Sequence, residues 1–190
     1  MIDFRKATYV KSATKPEEGP KDSLPWVLFC GRSNVGKSTL INGLTGQKIA
    51  FSSKKAGKTK LLNYFLVDDS FYLVDSPGYG STAYANFTTI NFAKMMEGSL
   101  REKRVKAVVL LVDLRREAGK DDVSFFHYLE DSGVPLITVI TKCDLMNQSA
   151  RSQAKRWAGE YGLSEPIFAA ADSSSYLEVR RRIATLLSGK

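Results

Sequence analysis

The chain has 190 residues, 43% of them hydrophobic, enough to close one compact domain around a full core and too few for a second large one. Its 28 Lys and Arg against 20 Asp and Glu leave a formal charge of +8, which suits a polyanionic partner such as nucleic acid, a basic surface kept for solubility being the competing reading. Two distant cysteines, Cys30 and Cys143, exclude a disulfide framework and any metal-type spacing, and the start of the chain and the absence of long apolar runs exclude a signal core and a membrane span, so a cytoplasmic protein with no membrane role is expected.

In chain order, Ala7–Val10 is a short β-like piece followed by a polar stretch holding Pro16, Gly19, Pro20 and Pro25; residues 1–25 therefore read as an N-terminal arm and 26–190 as the main domain. Trp26–Cys30 is an apolar strand that runs into Gly31-Arg32-Ser33-Asn34-Val35-Gly36-Lys37-Ser38 and then a helix beginning Thr39-Leu40-Ile41-Asn42. That is strand, glycine loop, helix, matching G-x-x-x-x-G-K-S/T. Gly31 and Gly36 free the backbone so that successive N–H groups converge on a phosphate chain. Lys37 brings a charge to the β and γ phosphates, Ser38 a hydroxyl to Mg²⁺, and the helix its positive end. The site binds a nucleoside triphosphate.

Residues 48–60, rich in Lys and Gly, read as an exposed loop. Residues 61–67 and 71–74 are strands joined by Asp68-Asp69-Ser70 as an antiparallel hairpin. Ile90, Ala93, Met96 and Leu100 recur at helical spacing within 87–102, and 107–112 is a buried strand. A helix over 121–132 with Val123, Phe126 and Leu129 on one side, a strand 136–140, a helix 147–161, a short strand 166–169 and a closing helix 174–188 complete the chain. Alternation of this kind predicts an α/β fold in three layers: a mostly parallel sheet with one antiparallel edge strand, helices on both faces, and ligand loops at the carboxyl ends of the strands.

Two further motifs lie at strand ends. Asp75-Ser76-Pro77-Gly78 places a carboxylate where it can hold Mg²⁺ through water, and a glycine whose N–H can reach a γ-phosphate and sense its presence. Thr141-Lys142-Cys143-Asp144 places an acceptor-only carboxylate, Asp144, to pair with the N1–H and exocyclic amine of guanine, while Lys142 can lie over the base and reach the glycine loop. The nucleotide is then GTP, and an ATP-dependent kinase is disfavoured because D-x-x-G and T-K-x-D together have no role in one.

The pieces G-R-S-N-V-G-K-S-T-L-I-N, Gly57-Lys58-Thr59 followed by Lys60-Leu61-Leu62-Asn63-Tyr64-Phe65, and D-S-P-G-Y-G resemble the EngB family of ribosome-biogenesis GTPases, within the translation-factor-related P-loop GTPases. The resemblance runs from about residue 8 to the C-terminus. It implies the three-layer P-loop GTPase fold and a GTP/GDP switch that assists assembly of the large ribosomal subunit. It also implies that the Thr59 hydroxyl joins Mg²⁺ with Ser38 in the GTP state, that Lys37, Thr59 and Gly78 serve hydrolysis, and that Gly57, Lys58, Lys60 and Leu61 line the nucleotide with the glycine loop. Asn34 resembles the asparagine with which potassium-stimulated GTPases hold K⁺, an Asn that only stabilises its loop being the alternative.

Two departures accompany the resemblance. Near the final strand the base loop reads Phe168-Ala169-Ala170-Ala171 in place of a serine-led sequence, with backbone N–H groups expected to serve the guanine O6. The second departure is from Ras-like enzymes and is shared by the EngB family: after D-x-x-G stands Tyr79 and not a glutamine that could orient water, which predicts slow intrinsic turnover accelerated by a partner. Basic residues cluster at Lys54-Lys55-Lys58-Lys60, Arg101-Lys103-Arg104-Lys106, Arg115-Arg116, Arg151-Lys155-Arg156 and Arg180-Arg181-Arg182, which is read as a surface for a large-subunit precursor or its rRNA through phosphate and shape. No DNA partner is expected, and a monomer is the default. A binding module that senses GTP/GDP with negligible hydrolysis is the alternative function. His127, Trp157, Tyr161 and Phe126 read as structural.

Overall fold

The computed structural model describes residues 2–50, 61–80, 90–170 and 173–189. Its elements are β1 (Ala7–Ala13), β2 (Trp26–Gly31), α1 (Lys37–Thr45), β3 (Leu62–Val67), β4 (Phe71–Asp75), α2 (Ile90–Arg101), β5 (Val105–Val112), α3 (Lys120–Asp131), β6 (Leu136–Ile140), α4 (Gln148–Glu160), β7 (Ile167–Phe168) and α5 (Ser173–Leu187). One sheet carries all strands in the order β1-β3-β4-β2-β5-β6-β7.

β2 occupies the middle because its sequence has no polar alternation to offer solvent: all of Trp26–Gly31 is buried. Its side chains divide by parity, Trp26, Leu28 and Cys30 packing on one face of the sheet and Val27 and Phe29 on the other. The first face is covered by Phe92 and Met96 of α2, Phe125, Phe126 and Leu129 of α3, and Ala154 and Ala158 of α4. The second is covered by Leu40, Ile41 and Leu44 of α1 and Val179 and Ile183 of α5. Each fully buried large apolar side chain contributes about 1.5–3 kcal/mol, so both helical layers are held to the sheet by area alone. The result is the three-layer, mostly parallel architecture expected from the alternation.

β3 is the antiparallel strand, paired with both β1 and β4. The hairpin turn works because Asp68 and Asp69 both adopt positive φ (47° and 48°), the pattern that matches strand twist, with Ser70 N–H donating to Val67 O at 2.9 Å. The edge outside β3 is taken by β1, which runs to Ala13 and not only to Val10. Within residues 1–25, read from sequence as an arm, Ala7–Ala13 thus joins the same sheet. Ala7 and Ala13 are buried, Phe4 sits edge-on to Phe71 with centroids 5.6 Å apart, and Tyr72 Oη donates to Asp22 at 2.6 Å. The few apolar residues of this polar, Pro- and Gly-bearing segment thus find buried partners.

Smaller differences have similar causes. α2 buries Phe92, Met96 and Ser99, with Ala93 and Leu100 only partly covered, because the Ser99 hydroxyl turns back to Met95 O at 2.8 Å and can enter the core satisfied. α3 buries Phe125 as fully as Leu129, whereas Val123 is half-buried. α4 begins at a side-chain cap, Asn147 Oδ1 accepting from Ala150 N–H at 2.9 Å. Among the described residues no helix is long and apolar enough to cross a membrane.

Candidate nucleotide site

The carboxyl ends of β2, β4 and β6 lie on one edge of the sheet, since these strands run parallel through β2–β4, β2–β5 and β5–β6 pairing. The three motifs follow those strands, so the topology gathers them without any long-range device.

At the centre, Gly31 has φ 154°, and a Cβ added there would stand 2.7 Å from Leu111 O and 3.0 Å from Val35 Cγ1, so no larger residue fits where the loop leaves β2. Gly36 caps α1 at φ 111° and Asn34 takes φ 63°. The loop's outer carbonyls are tied down: Asn34 O accepts from Lys142 Nζ at 2.8 Å and Val35 O from Thr141 Oγ1 at 2.7 Å. Because a trans peptide sets N–H opposite C=O, the Gly36 N–H is turned to the other side, beside the unpaired N–H groups of the first turn of α1. Ser38 is half-buried and Thr39 exposed in that turn.

Lys37 Nζ lies 3.5 Å from Asp75 Oδ1, and the two side chains are only 11% and 8% exposed. Asp75 Oδ1 is buried and receives no hydrogen bond. Burial pushes the Asp75 carboxyl up and the adjacent Lys37 pulls it back. A buried carboxylate oxygen with no hydrogen bond and the hydroxyl of Ser38, the residue after Lys37, are hard oxygen donors, which fits Mg²⁺ and its water shell. No group of three or more His, Cys, Asp or Glu capable of caging a metal exists among the described residues, so an ion here would lean on water and phosphate oxygens. Cys30, at the end of β2, is inert: burial pushes its thiol up to about 12.

The segment after Asp75 zips onto the glycine loop. Ser76 N–H donates to Phe29 O at 3.1 Å, Tyr79 N–H to Gly31 O at 3.3 Å, Ser33 N–H to Tyr79 O at 2.8 Å and Ser33 Oγ to Gly78 O at 3.2 Å. A Cβ on Gly78 would meet Ser33 Cα at 2.8 Å, which explains why glycine stands there. Pro77 is buried beside it. Tyr79 turns away from this edge into the core, 3% exposed, its ring 4.6 Å from Phe125 and 6.3 Å from Phe92. Burial and the facing Asp122 carboxylate push the Tyr79 hydroxyl far up. Arg32 likewise leaves the loop, with Nη1 donating to Asp122 Oδ2 at 3.0 Å.

At the far end, Thr141 is buried, Lys142 stands at φ 60°, Cys143 Sγ donates to Ile140 O at 3.2 Å and Asp144 is exposed. Gly36, Leu40, Lys142, Asp144, Ala169 and Ala170 are among the walls of a cavity of about 150 Å³ that opens here. Phe168 closes β7 behind it, half-buried. Two N–H groups of the base loop have partners within the fold: Ala169 N–H donates to Ile140 O at 2.8 Å and Ala170 N–H to Ser175 Oγ at 3.1 Å. β7 thus extends its ladder through Ala169 and α5 supplies an acceptor for Ala170, while Ala171 of the same loop lies outside the described residues. Gly57, Lys58, Thr59 and Lys60 lie outside the described residues, and Leu61 is half-buried at the foot of β3.

At this edge the sequence reading leaves out Asp113 and places Arg151 only in a basic surface cluster. Asp113, just past β5, accepts from Lys142 Nζ at 2.9 Å and from Arg115 Nε and Nη2 at 2.9 and 2.8 Å. Burial would raise its pKa, but those cationic donors hold it well below the carboxylate range. The signal was available: like Asp75, it is an acidic residue directly after an apolar strand. Arg151 braces the same loop, Nη2 donating to Cys143 O at 2.9 Å. The basic clusters thin out by the same accounting. Arg104 stacks 4.1 Å over Trp26 and binds Asp22 O, Arg180 binds Leu44 O, and Arg182 binds Glu165 O, whereas Lys103, Lys106, Lys155, Arg156 and Arg181 are exposed. Phe126 is buried and Trp157 and Tyr161 pack against the same core, while His127 is exposed and pairs with Glu130.

Similarity to known proteins agrees with this arrangement. Residues 26–142 match the family described as 50S ribosome-binding GTPase. A probable GTP-binding protein EngB of Solibacter usitatus is 37% identical over 187 residues, covering 97% of this chain and 98% of the relative. One from Lactobacillus acidophilus is 41% identical over 148 residues, covering 77% and 76%. The crystal structure of a probable GTP-binding protein engB superposes with TM-score 0.64 at 23% identity, over 87% of this chain and all of the other, and that of Era with TM-score 0.62 at 21% identity, over 87% and 56%. A glycine loop, an acidic strand end beside its lysine and a carboxylate-edged cavity thus occur in a chain matched over nearly its whole length, and the chain belongs to the EngB family of GTP-binding proteins, a family of GTPases.

Proposed function

We propose that the chain is a GTP-hydrolysing molecular switch that assists assembly of the large ribosomal subunit in the cytoplasm. The observation that carries the nucleotide reading is the convergence of Lys37, Asp75 and the inward N–H groups of Gly36 and α1 at one end of a site whose other end is the cavity edged by Lys142 and Asp144. In this reading Gly31–Thr39 cradle the phosphates and Lys37 neutralises their charge. Asp144 selects guanine, and Thr141, Lys142 and Cys143 hold it in place. Ser38 and Asp75, the latter through water, would hold Mg²⁺, which would supply positive charge to offset that of the phosphates. Thr59 is assigned to the same ion by resemblance, and the Gly78 N–H to the γ-phosphate from its place in the turn after β4. Asn34, on the rim of the loop, is the residue assigned to K⁺, with faster turnover in K⁺ than in Na⁺ as its readout; equal rates would remove it.

The ribosomal partner is supported by the family's description and by the exposed lysines and arginines left after internal pairing. Tyr79 favours the alternative of a sensor with negligible hydrolysis of its own, since its side chain is buried and cannot orient a water at the γ-phosphate. The test is multiple-turnover phosphate release with and without large ribosomal subunits, beside co-sedimentation with those subunits in a GTP analogue, GDP and no nucleotide. Slow release that subunits accelerate, with nucleotide-dependent co-sedimentation, is the expected result. No release under either condition selects the sensor, and co-sedimentation indifferent to nucleotide overturns the switch.

A further inference from the structure

Among the described residues the base cavity has one aromatic wall, and none of the motifs provides it. Tyr176, in the first turns of α5, lines the cavity together with Asp144, Ala170 and Leu40. Its ring is set there by α1: a Cβ added to Gly43 would lie 2.1 Å from Tyr176 Cζ and 2.4 Å from Cε2, so only glycine lets the ring cross the helix at this height. One turn further along α5, on the same face, Arg180 donates from Nε to Leu44 O at 2.8 Å and from Nη2 to Gly43 O at 3.2 Å. The ring is thus set on Gly43, with the Arg180 anchor one turn beyond it. Ser175, its neighbour, fixes the Ala170 N–H. α5 therefore both ties off the base loop and presents a rigid ring to the cavity, a surface placed before any ligand arrives.

We propose that Tyr176 is a nucleoside-positioning residue: the guanine nucleoside packs against its ring, and Gly43 is the residue that makes room for the ring to be there. This rests on the reading of the cavity as the base site. A stacked or edge-packed aromatic contributes area and ring contact to a purine without selecting among its polar edges, so Tyr176 strengthens nucleoside binding while Asp144 chooses the base.

The experiment measures, by calorimetry on the full chain, the affinity for GDP and for inorganic tripolyphosphate, which has no nucleoside. Y176A is expected to weaken GDP about tenfold and to leave tripolyphosphate within about twofold, with Y176F restoring GDP binding. G43A, which touches no ligand, is expected to weaken GDP similarly by displacing the ring. In the Y176A background the same G43A change should cost nothing more. Unchanged GDP affinity in Y176A, or parallel loss of GDP and tripolyphosphate, or a G43A cost that persists without the ring, would overturn the proposal. Failure of the underlying reading is separable: wild-type chain without GDP affinity, or D144N with its guanine preference intact, would show that the cavity is not the base site whatever Tyr176 does.

Discussion

The two ends of the nucleotide site are built from different materials. At the phosphate end the side chains of Lys37 and Asp75 are nearly dry, the loop is held between central strands β2 and β4, Gly31, Ser33 and Tyr79 are linked through their backbones, and the Ser33 hydroxyl donates to Gly78 O. At the base end the selecting carboxylate, Asp144, is exposed, the supporting strand β7 is two residues long, and the walls are side chains from α1, α5 and two loops. A preorganised backbone in a low-dielectric setting delivers strength, because its groups are aimed and desolvated before the ligand arrives. Side chains on a thin edge deliver choice, because each can be altered without disturbing the scaffold. Affinity should therefore be concentrated at the phosphate end and selectivity at the base end.

The largest effect should come from Lys37→Ala. It removes a charged donor from the phosphates and leaves the buried Asp75 without its counter-charge, so affinity for a non-hydrolysable GTP analogue with Mg²⁺ should fall by two or more orders of magnitude, about 3 kcal/mol. Titration calorimetry measures it directly. A loss below tenfold would break the comparison, since strength would then have to reside elsewhere in the site.

Asp144→Asn comes next and tests the other half. The exchange turns an acceptor into a donor at the guanine N1 and amine edge, so GDP should weaken by about ten- to a hundredfold while XDP gains. Competition between the two diphosphates reads the switch, and the melting temperature of the nucleotide-free chain should not move, because the side chain is exposed and its own interactions with the fold are few. Loss of both diphosphates together would show that the exposed end carries general affinity after all.

How much of this could be read from residues alone follows the same division. The phosphate end was legible because its chemistry is backbone chemistry: Gly31, Gly36 and Gly78 stand where a Cβ or an ordinary φ is forbidden, and such constraints leave a mark at fixed spacing. β2 and β5 were legible because burial on both faces leaves unbroken apolar runs. The base end was less so. Tyr176 is brought to the cavity by helix packing across Gly43, and Ala170 loses its free N–H to Ser175, five residues on; neither contact has a periodicity that a chain scan detects. β1 was underestimated for a related reason, since a polar edge strand with a bulge between Tyr9 and Lys11 carries little hydrophobic signal and is defined by its partner β3. At Tyr79 the sequence shows only that no glutamine stands there; that the ring is a core residue against Phe125 and Phe92 is visible only in three dimensions.

The smallest effect joins the two ends. Asp113 receives Lys142 Nζ, and Lys142 also donates to Asn34 O in the glycine loop, so this lysine is a tie between base loop and phosphate loop with Asp113 as its anchor. Asp113→Asn keeps the shape and removes the charge. Because the folded protein holds this carboxyl below its ordinary value of 3.8, its contribution to stability is present above that pH and fades as the pH falls through it toward the depressed folded value. At neutral pH the variant should be less stable by roughly 1 kcal/mol, the side chain being partly exposed and its ion pairs partly screened. Thermal unfolding followed from pH 7 downward should show the two proteins converging below the carboxylate range. If the gap stays constant with pH, the charge of Asp113 is not what holds Lys142, and the two ends of the site are joined only through the sheet.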